Sequence, residues 1–131
     1  MVKHIKSDAT FVLPGFSPAV ALSSGLVLVS GQVAVGLDGQ IAGKGDFDAQ
    51  TELTMQNMQA VLAAAGATFK HVIKLGIILA DRKYVGRWRE LRSRYFSEPY
   101  PASTLIIAGL VSEDLLIEVE ATAYVAAAQL A

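Results

Sequence analysis

Apolar and polar positions fall into a sequence of short strand-like runs broken by two segments of helical period. AVAL (19–22) and LVLVSGQVAV (26–35) are aliphatic runs separated by SSG. They predict two strands around a tight turn, with Gly25 supplying the permissive backbone. GLDGQIAGKGDFD, rich in Gly and Asp, predicts a loop. Over residues 48–65 the period changes. Leu53, Met58, Val61, Leu62 and Ala65 recur at helical spacing, Asp46 or Asp48 can cap the start, and Gly66 stands where a helix would stop. KHVIKLGIILAD (70–81) is largely apolar and predicts a central strand. A second helix is predicted near 83–96, with Tyr84, Trp88, Leu91 and Tyr95 on one stripe and Glu90 four residues before Arg94. After the turn EPYP come a strand over 103–110, the loop VSED and a last strand over 115–125.

The predicted order is β-β-α-β-α-β-β, in one domain spanning 1–131. Strands alternating with two helices predict an α+β fold, a mixed β-sheet with two helices packed on one face. The other face must then meet something, and a second copy of the chain fits. Composition points the same way. Of 131 residues, 53% are hydrophobic, and the mean hydropathy is +0.43. A small monomer has too much surface to hide that much apolar side chain easily, so a buried subunit interface is expected. The formal net charge of −1 gives no whole-molecule attraction to nucleic acid or anionic membrane, and neither is expected as a partner. No cysteine is present, which excludes disulfides, thiolate catalysis and Cys-ligated metal. MVKHIKSDATF lacks the apolar core of a signal peptide, and no apolar run approaches a membrane span. A soluble cytoplasmic protein is the expectation.

Three stretches carry candidate chemistry. In the last strand Ile117, Val119, Ala121, Ala123 and Val125 fall on one face, while Leu116, Glu118, Glu120, Thr122 and Tyr124 fall on the other. Two carboxylates thus project from one side of an otherwise apolar strand. Burial there raises a carboxyl pKa toward the range a general acid or base needs. On an ordinary sheet the same pair is a solvated face. Ser30-Gly31-Gln32 ends a strand on a glycine, where backbone groups could hold a ligand, or where a bulge or a close approach demands the small residue. Arg87, Arg89, Arg92 and Arg94, with Arg82 and Lys83 before them, make a basic helix. They lie outside the aromatic stripe and read as a solvated face with salt bridges. His4 and His71 have no partner at ligand spacing, so no metal is expected. The glycines match no phosphate-binding loop, and no G-x-S-x-G elbow is present.

FSPAV (16–20), LVLVSGQ (26–32), DAQTELTMQNMQAVLAAAGA (48–67), the strand through Val72-Ile73-Lys74, Tyr95-Phe96, PASTLIIAGL and IEVEATAYV, in that order, resemble the RidA/YjgF family, once labelled endoribonuclease L-PSP. The resemblance runs from about Phe16 to Val125. It implies a chorismate-mutase-like fold assembled as a homotrimeric barrel, with small-molecule clefts between neighbouring subunits. It also implies cofactor-free hydrolysis of reactive enamines and imines to ketones and ammonia. The family's water-handling glutamate maps to Glu118, and its backbone-contact segment to Ser30, Gly31 and Gln32. Its cleft tyrosine is replaced by Phe16. Its carboxylate-binding arginine, usually in a PAR-(S/T)-(T/C) turn, maps to Ala102, followed by Ser103 and Thr104 in the same turn. Arg89 falls where many relatives have a cleft-lining asparagine and is a candidate second source of positive charge. A bidentate charge-assisted pair contributes about 1.5–3 kcal/mol in a partly dry site. Its loss predicts altered or absent activity on 2-imino acids. A non-catalytic trimeric metabolite binder and, third, a ribonuclease or translation inhibitor are the competing readings.

Overall fold

The computed structural model describes residues 1–126. The strands are β1 (Val2–Ile5), β2 (Ala19–Leu22), β3 (Leu26–Gln32), β4 (Val72–Leu79), β5 (Ala102–Ile107) and β6 (Ile117–Tyr124). The helices are α1 (Phe47–Ala64) and α2 (Val85–Leu91). They form one six-stranded sheet in the order β1-β2-β3-β6-β4-β5. Among the described residues only β4 and β5 are parallel neighbours. A parallel pair needs a crossover, and α2 supplies it. β3 and β4 both run antiparallel to β6, so α1 makes a second crossover with β6 slotted between its two strands.

The alternation in β6 sets the core. Ile117, Val119, Ala121, Ala123 and Val125 are all buried, in one cluster with Met55, Met58, Val61 and Leu62 of α1 and with Trp88 and Leu91 of α2. Each buried Val, Ile, Leu or Met side chain among them contributes about 1.5–3 kcal/mol. Among the described residues the opposite sheet face has no helix. Leu28, Ile106 and Tyr124 are about half exposed there, beside Lys74, Glu118, Glu120 and Thr122.

Helix α1 starts where Asp46 accepts a hydrogen bond from the Ala49 N–H at 3.0 Å, a cap worth about 1 kcal/mol. It stops at Gly66, whose φ of +79° favours glycine. Its buried face differs from the predicted stripe. Leu53 is only partly buried, whereas Gln50, Thr51, Thr54 and Met55 are fully buried. Gln50 is tolerated because its amide donates to the Asp114 carbonyl at 2.7 Å and accepts from the Leu116 N–H at 2.8 Å. The second predicted helix is three pieces: α2 proper lies between 3₁₀ turns at Arg82–Tyr84 and Arg92–Arg94. The tighter winding past residue 91 changes the angular spacing, so Glu90 does not pair with Arg94. Glu90 pairs instead with Arg87 at 3.0 Å, and Arg87 also clasps Asp48 of α1 at 2.6 Å. Trp88 and Leu91 are buried as the stripe predicts. Tyr84 is half-buried and stacks on Phe47 at 4.5 Å between ring centroids.

Strand boundaries also differ: β5 ends at Ile107 rather than Leu110, and β4 and β6 are shorter than expected at both ends. β1 adds an edge strand ahead of the predicted first one, and β3 leaves the sheet at Gln32 rather than Val35. Among the described residues, no helix is long and apolar enough to cross a membrane.

Candidate functional site

β6 lies between β3 and β4, and each of its exposed-face carboxylates leans over a glycine of a neighbour. Glu120 stands opposite Gly76, and its Oε1 would lie 2.6 Å from a Cβ built there. The Glu118 carboxylate occupies the space that a Cβ on Gly31 would need. Gly31 sits in a β-bulge. Between Val29 and Gln32 the β3 strand advances three residues while its β6 partners advance two, from Ala121 to Val119. The bulge and the close approach therefore act at one residue, Gly31. Burial raises the Glu118 carboxyl above the ordinary glutamate range, and the nearby Glu120 charge adds to the rise.

The segment entering the bulge is pinned. The Ser30 N–H donates to the Pro18 carbonyl at 2.9 Å. Its hydroxyl donates to the Ser17 carbonyl at 2.6 Å, and the Gln32 amide donates to the Ser30 carbonyl at 3.0 Å. Beside it lies a cavity of about 70 Å³ lined by Phe11, Leu13, Phe16, Gly31, Gln32 and Asn57, among others. Phe16 is 49% exposed. Asn57 reaches across from α1 and donates to the carbonyls of Val33 and Val35 at 2.9 and 3.0 Å, holding the chain that walls the cavity. Phe16, Ser30, Gly31 and Glu118 are thus brought together. Together they offer an acidic group, an apolar wall and a rigid backbone rim.

Ala102, Ser103 and Thr104 are elsewhere. Ala102 is in register with Lys74, whereas Glu118 is in register with Ile78, four residues further along β4. That separation is about 13 Å along the strands and about 9.5 Å across two strand spacings. One chain cannot close this distance around a small ligand. Ala102 and Thr104 project on the face that carries Glu118, and Ser103 projects on the helix face. No arginine stands at Ala102, but Lys74 is its register neighbour on the same face. Arg89 is exposed on α2. A different arginine, Arg92, lines a small slot with Ser103, Trp88, Phe96 and Tyr100, its guanidinium 5.9 Å from the centroid of the Tyr100 ring. Among the described residues no cluster of three or more His, Cys, Asp or Glu could hold a metal ion.

Sequence reasoning missed Phe11, Leu13, Asn57, Lys74 and Arg92. TFVLPGF offered a signal, because large apolar residues around Pro-Gly are more than a polar loop needs. Asn57, a lone amide within a run of helix-forming residues, offered another. Nothing local distinguishes Arg92 from its neighbours.

A split β-α-β sheet with both helices on one face and an acid on the bare face defines a small α+β protein of the chorismate-mutase-like kind. The family model described as Endoribonuclease L-PSP matches residues 7–125. The chain belongs to that family, also called RidA/YjgF. It is 34% identical over 110 residues to a RutC family protein of Pyrococcus abyssi, covering 83% of this chain and 85% of that one. It is 33% identical over 123 residues to protein DfrA of Myxococcus xanthus, covering 92% and 94%. Among solved structures it resembles RidA from an Antarctic Psychrobacter, with a TM-score of 0.85, 26% identity and coverage of 94% and 99%. It also resembles a putative endoribonuclease L-PSP from Entamoeba histolytica, with a TM-score of 0.87, 28% identity and coverage of 95% and 100%.

Proposed function

We propose that this protein is a small-molecule hydrolase of the enamine/imine deaminase type, working as a homotrimer with its clefts between subunits, and that its activity on 2-imino acids is weak or lost. The observation that carries this reading is Glu118. It is a half-buried carboxylate with a raised pKa, set over a bulge glycine, Gly31, that also lines a small cavity. The strand register supports the shared cleft. The two groups of residues that the family resemblance assigns to one site lie too far apart within a chain, which suits a second group supplied by a neighbour.

In the proposed reaction Glu118 accepts a proton from a water molecule as its oxygen bonds to the imine carbon. The carbinolamine then collapses, with the proton returned to nitrogen. Imine plus water gives a carbonyl compound plus ammonia, with no redox partner. Ala102 presents no guanidinium to a carboxylate next to the reacting carbon. Lys74 offers a flexible point charge in place of a rigid fork. Phe11, Leu13 and Phe16 favour a less polar substrate.

The test is to generate imines from several amino acids and follow their decay with wild type and Glu118→Ala. Acceleration by the wild type, lost in the variant, supports the reading. No acceleration over buffer for any imine removes it. The absence of both an arginine at 102 and a tyrosine at 16 favours a second reading, a non-catalytic binder. That reading survives the negative result, and it predicts ligand-dependent thermal stabilisation.

A further inference from the structure

The basic segment after α2 does not behave as one solvated face. Arg87 is held by Asp48 and Glu90. Arg94 instead lines, with Lys70, a groove of about 420 Å³, and Arg92 lines an adjoining slot of about 70 Å³. The groove and slot share Phe96 and Pro101, so they are neighbours. Their walls are aromatic: Phe69 packs edge-on against Tyr95 at 5.7 Å and against Phe96 at 5.5 Å, and Tyr100 stacks under Arg92. Among the described residues Lys70, Arg92 and Arg94 form no salt bridge. Glu98 is the one acid in the lining, and Asp48, within electrostatic range of Arg94, is already clasped by Arg87. Lys70 and Arg94 therefore face one acid, Glu98, across a partly aromatic lining, with Arg92 in the neighbouring slot, and the groove's volume fits a small organic ligand.

We propose that this groove is a second binding site, taking a small organic anion with a flat apolar body and a carboxylate directed at Arg92 and Arg94. Flat walls suit a planar body, and guanidinium groups match a carboxylate bidentately. The site is separate from the Glu118 half-cleft. The groove borders Val72, at the start of β4, while Glu118 stands opposite Ile78. That is about 20 Å further along the strand.

The experiment titrates benzoate, benzamide and inorganic phosphate separately into the full chain, read by calorimetry and amide NMR shifts. Wild type, Arg92→Ala, Arg94→Ala and Glu118→Gln are compared. Both arginines are exposed and outside the core, so the variants should fold, and circular dichroism checks this. Benzoate should bind saturably and shift residues 93–101. Each arginine variant should weaken it by about tenfold, the loss of one charge-assisted contact. Benzamide should bind at least about tenfold more weakly, and Glu118→Gln should leave benzoate affinity unchanged. The proposal is overturned if benzoate does not bind, if benzamide binds equally, or if the arginine variants bind as wild type does. Equal affinity for phosphate would show that the aromatic walls contribute nothing and would overturn it too. Loss of binding in Glu118→Gln would move the site to the shared cleft. Imine turnover has no part in the readout, so failure here leaves the deaminase reading standing.

Discussion

Replacing Gly31 with alanine tests whether Glu118 sits where the structure places it. The new Cβ would need space already filled by the Glu118 carboxylate, with the acid's Cγ next nearest at 3.1 Å. Gly31 has no positive φ, so alanine brings no backbone strain of its own. The penalty must come from Glu118 alone. Swinging the side chain off its rotamer costs about 0.5–1.5 kcal/mol, and small-to-large changes in packed places cost about 1–3 kcal/mol. Alanine also lowers unfolded-chain entropy, which offsets about 0.4–1 kcal/mol. A net destabilisation of about 1 kcal/mol follows, or about 3–5 °C in Tm for a domain of this size. The assay is a double-mutant cycle by chemical or thermal unfolding at fixed protein concentration, with Gly31→Ala made in wild type and in Glu118→Ala. Without the acid the alanine should cost nothing or stabilise slightly, and the coupling should be about 1–2 kcal/mol. An equal cost in both backgrounds would refute the reasoning, since the clash would then be with something else. Imine hydrolysis, where present, should fall in Gly31→Ala about as far as in Glu118→Ala.

Three further outcomes follow. The Glu118 pKa is raised in the folded chain, so the stability it contributes is present below the unfolded glutamate value of 4.5 and is lost as pH rises through the folded value. Glu118→Gln should therefore be more stable than wild type at neutral pH, with the gap closing below pH 4.5 on denaturant titration; a gap constant with pH would contradict the shift. Ala102→Arg should speed decay of 2-imino acids by about tenfold or more relative to imines without a carboxylate. An equal effect on both would show that position 102 does not face the substrate's acid. Trp88→Ala removes a side chain 2% exposed and should cost about 3–5 kcal/mol by chemical unfolding, while Arg89→Ala, at an exposed position, should leave stability within about 0.5 kcal/mol.

Where burial follows side-chain hydrophobicity, the fold is readable from the sequence. β6 alternates without interruption from Ile117 to Tyr124, and its register with β3 and β4 then places the rest of the sheet. Where burial is achieved by hydrogen bonds, the pattern misleads. Gln50 is core because two backbone groups near residue 115 need its amide, and no periodicity of apolar residues can announce that. β1 escapes notice because only Ile5 of its four residues is buried, as suits an edge strand whose polar side chains face water. The end of β3 escapes for a different reason. VSGQVAV keeps alternating past residue 32, but the bulge at Gly31 turns the chain away from the sheet, and Asn57 satisfies the carbonyls that leave it.

The site divides along the same line. Glu118 and Gly31 were legible because a carboxylate in an apolar strand and a glycine at a strand end are each locally anomalous. Their pairing was not, since it depends on the β3–β6 register and on a bulge that shifts it by one residue. The cationic surroundings of the β5 head were illegible for a stronger reason. Lys74 reaches the neighbourhood of Ala102 through a parallel pairing made by the α2 crossover, and Arg92 reaches Ser103 from a 3₁₀ turn that breaks the helical count. Position 102 by itself shows only an alanine. The folded chain surrounds that position with two cations on opposite faces, neither presenting a fork to a carboxylate lying against β6. Positive charge at the head of β5 therefore arrives from Lys74 on one face and from Arg92 on the other, and under the proposed function a ligand whose anionic group lies further from the reacting carbon than in a 2-imino acid suits it better.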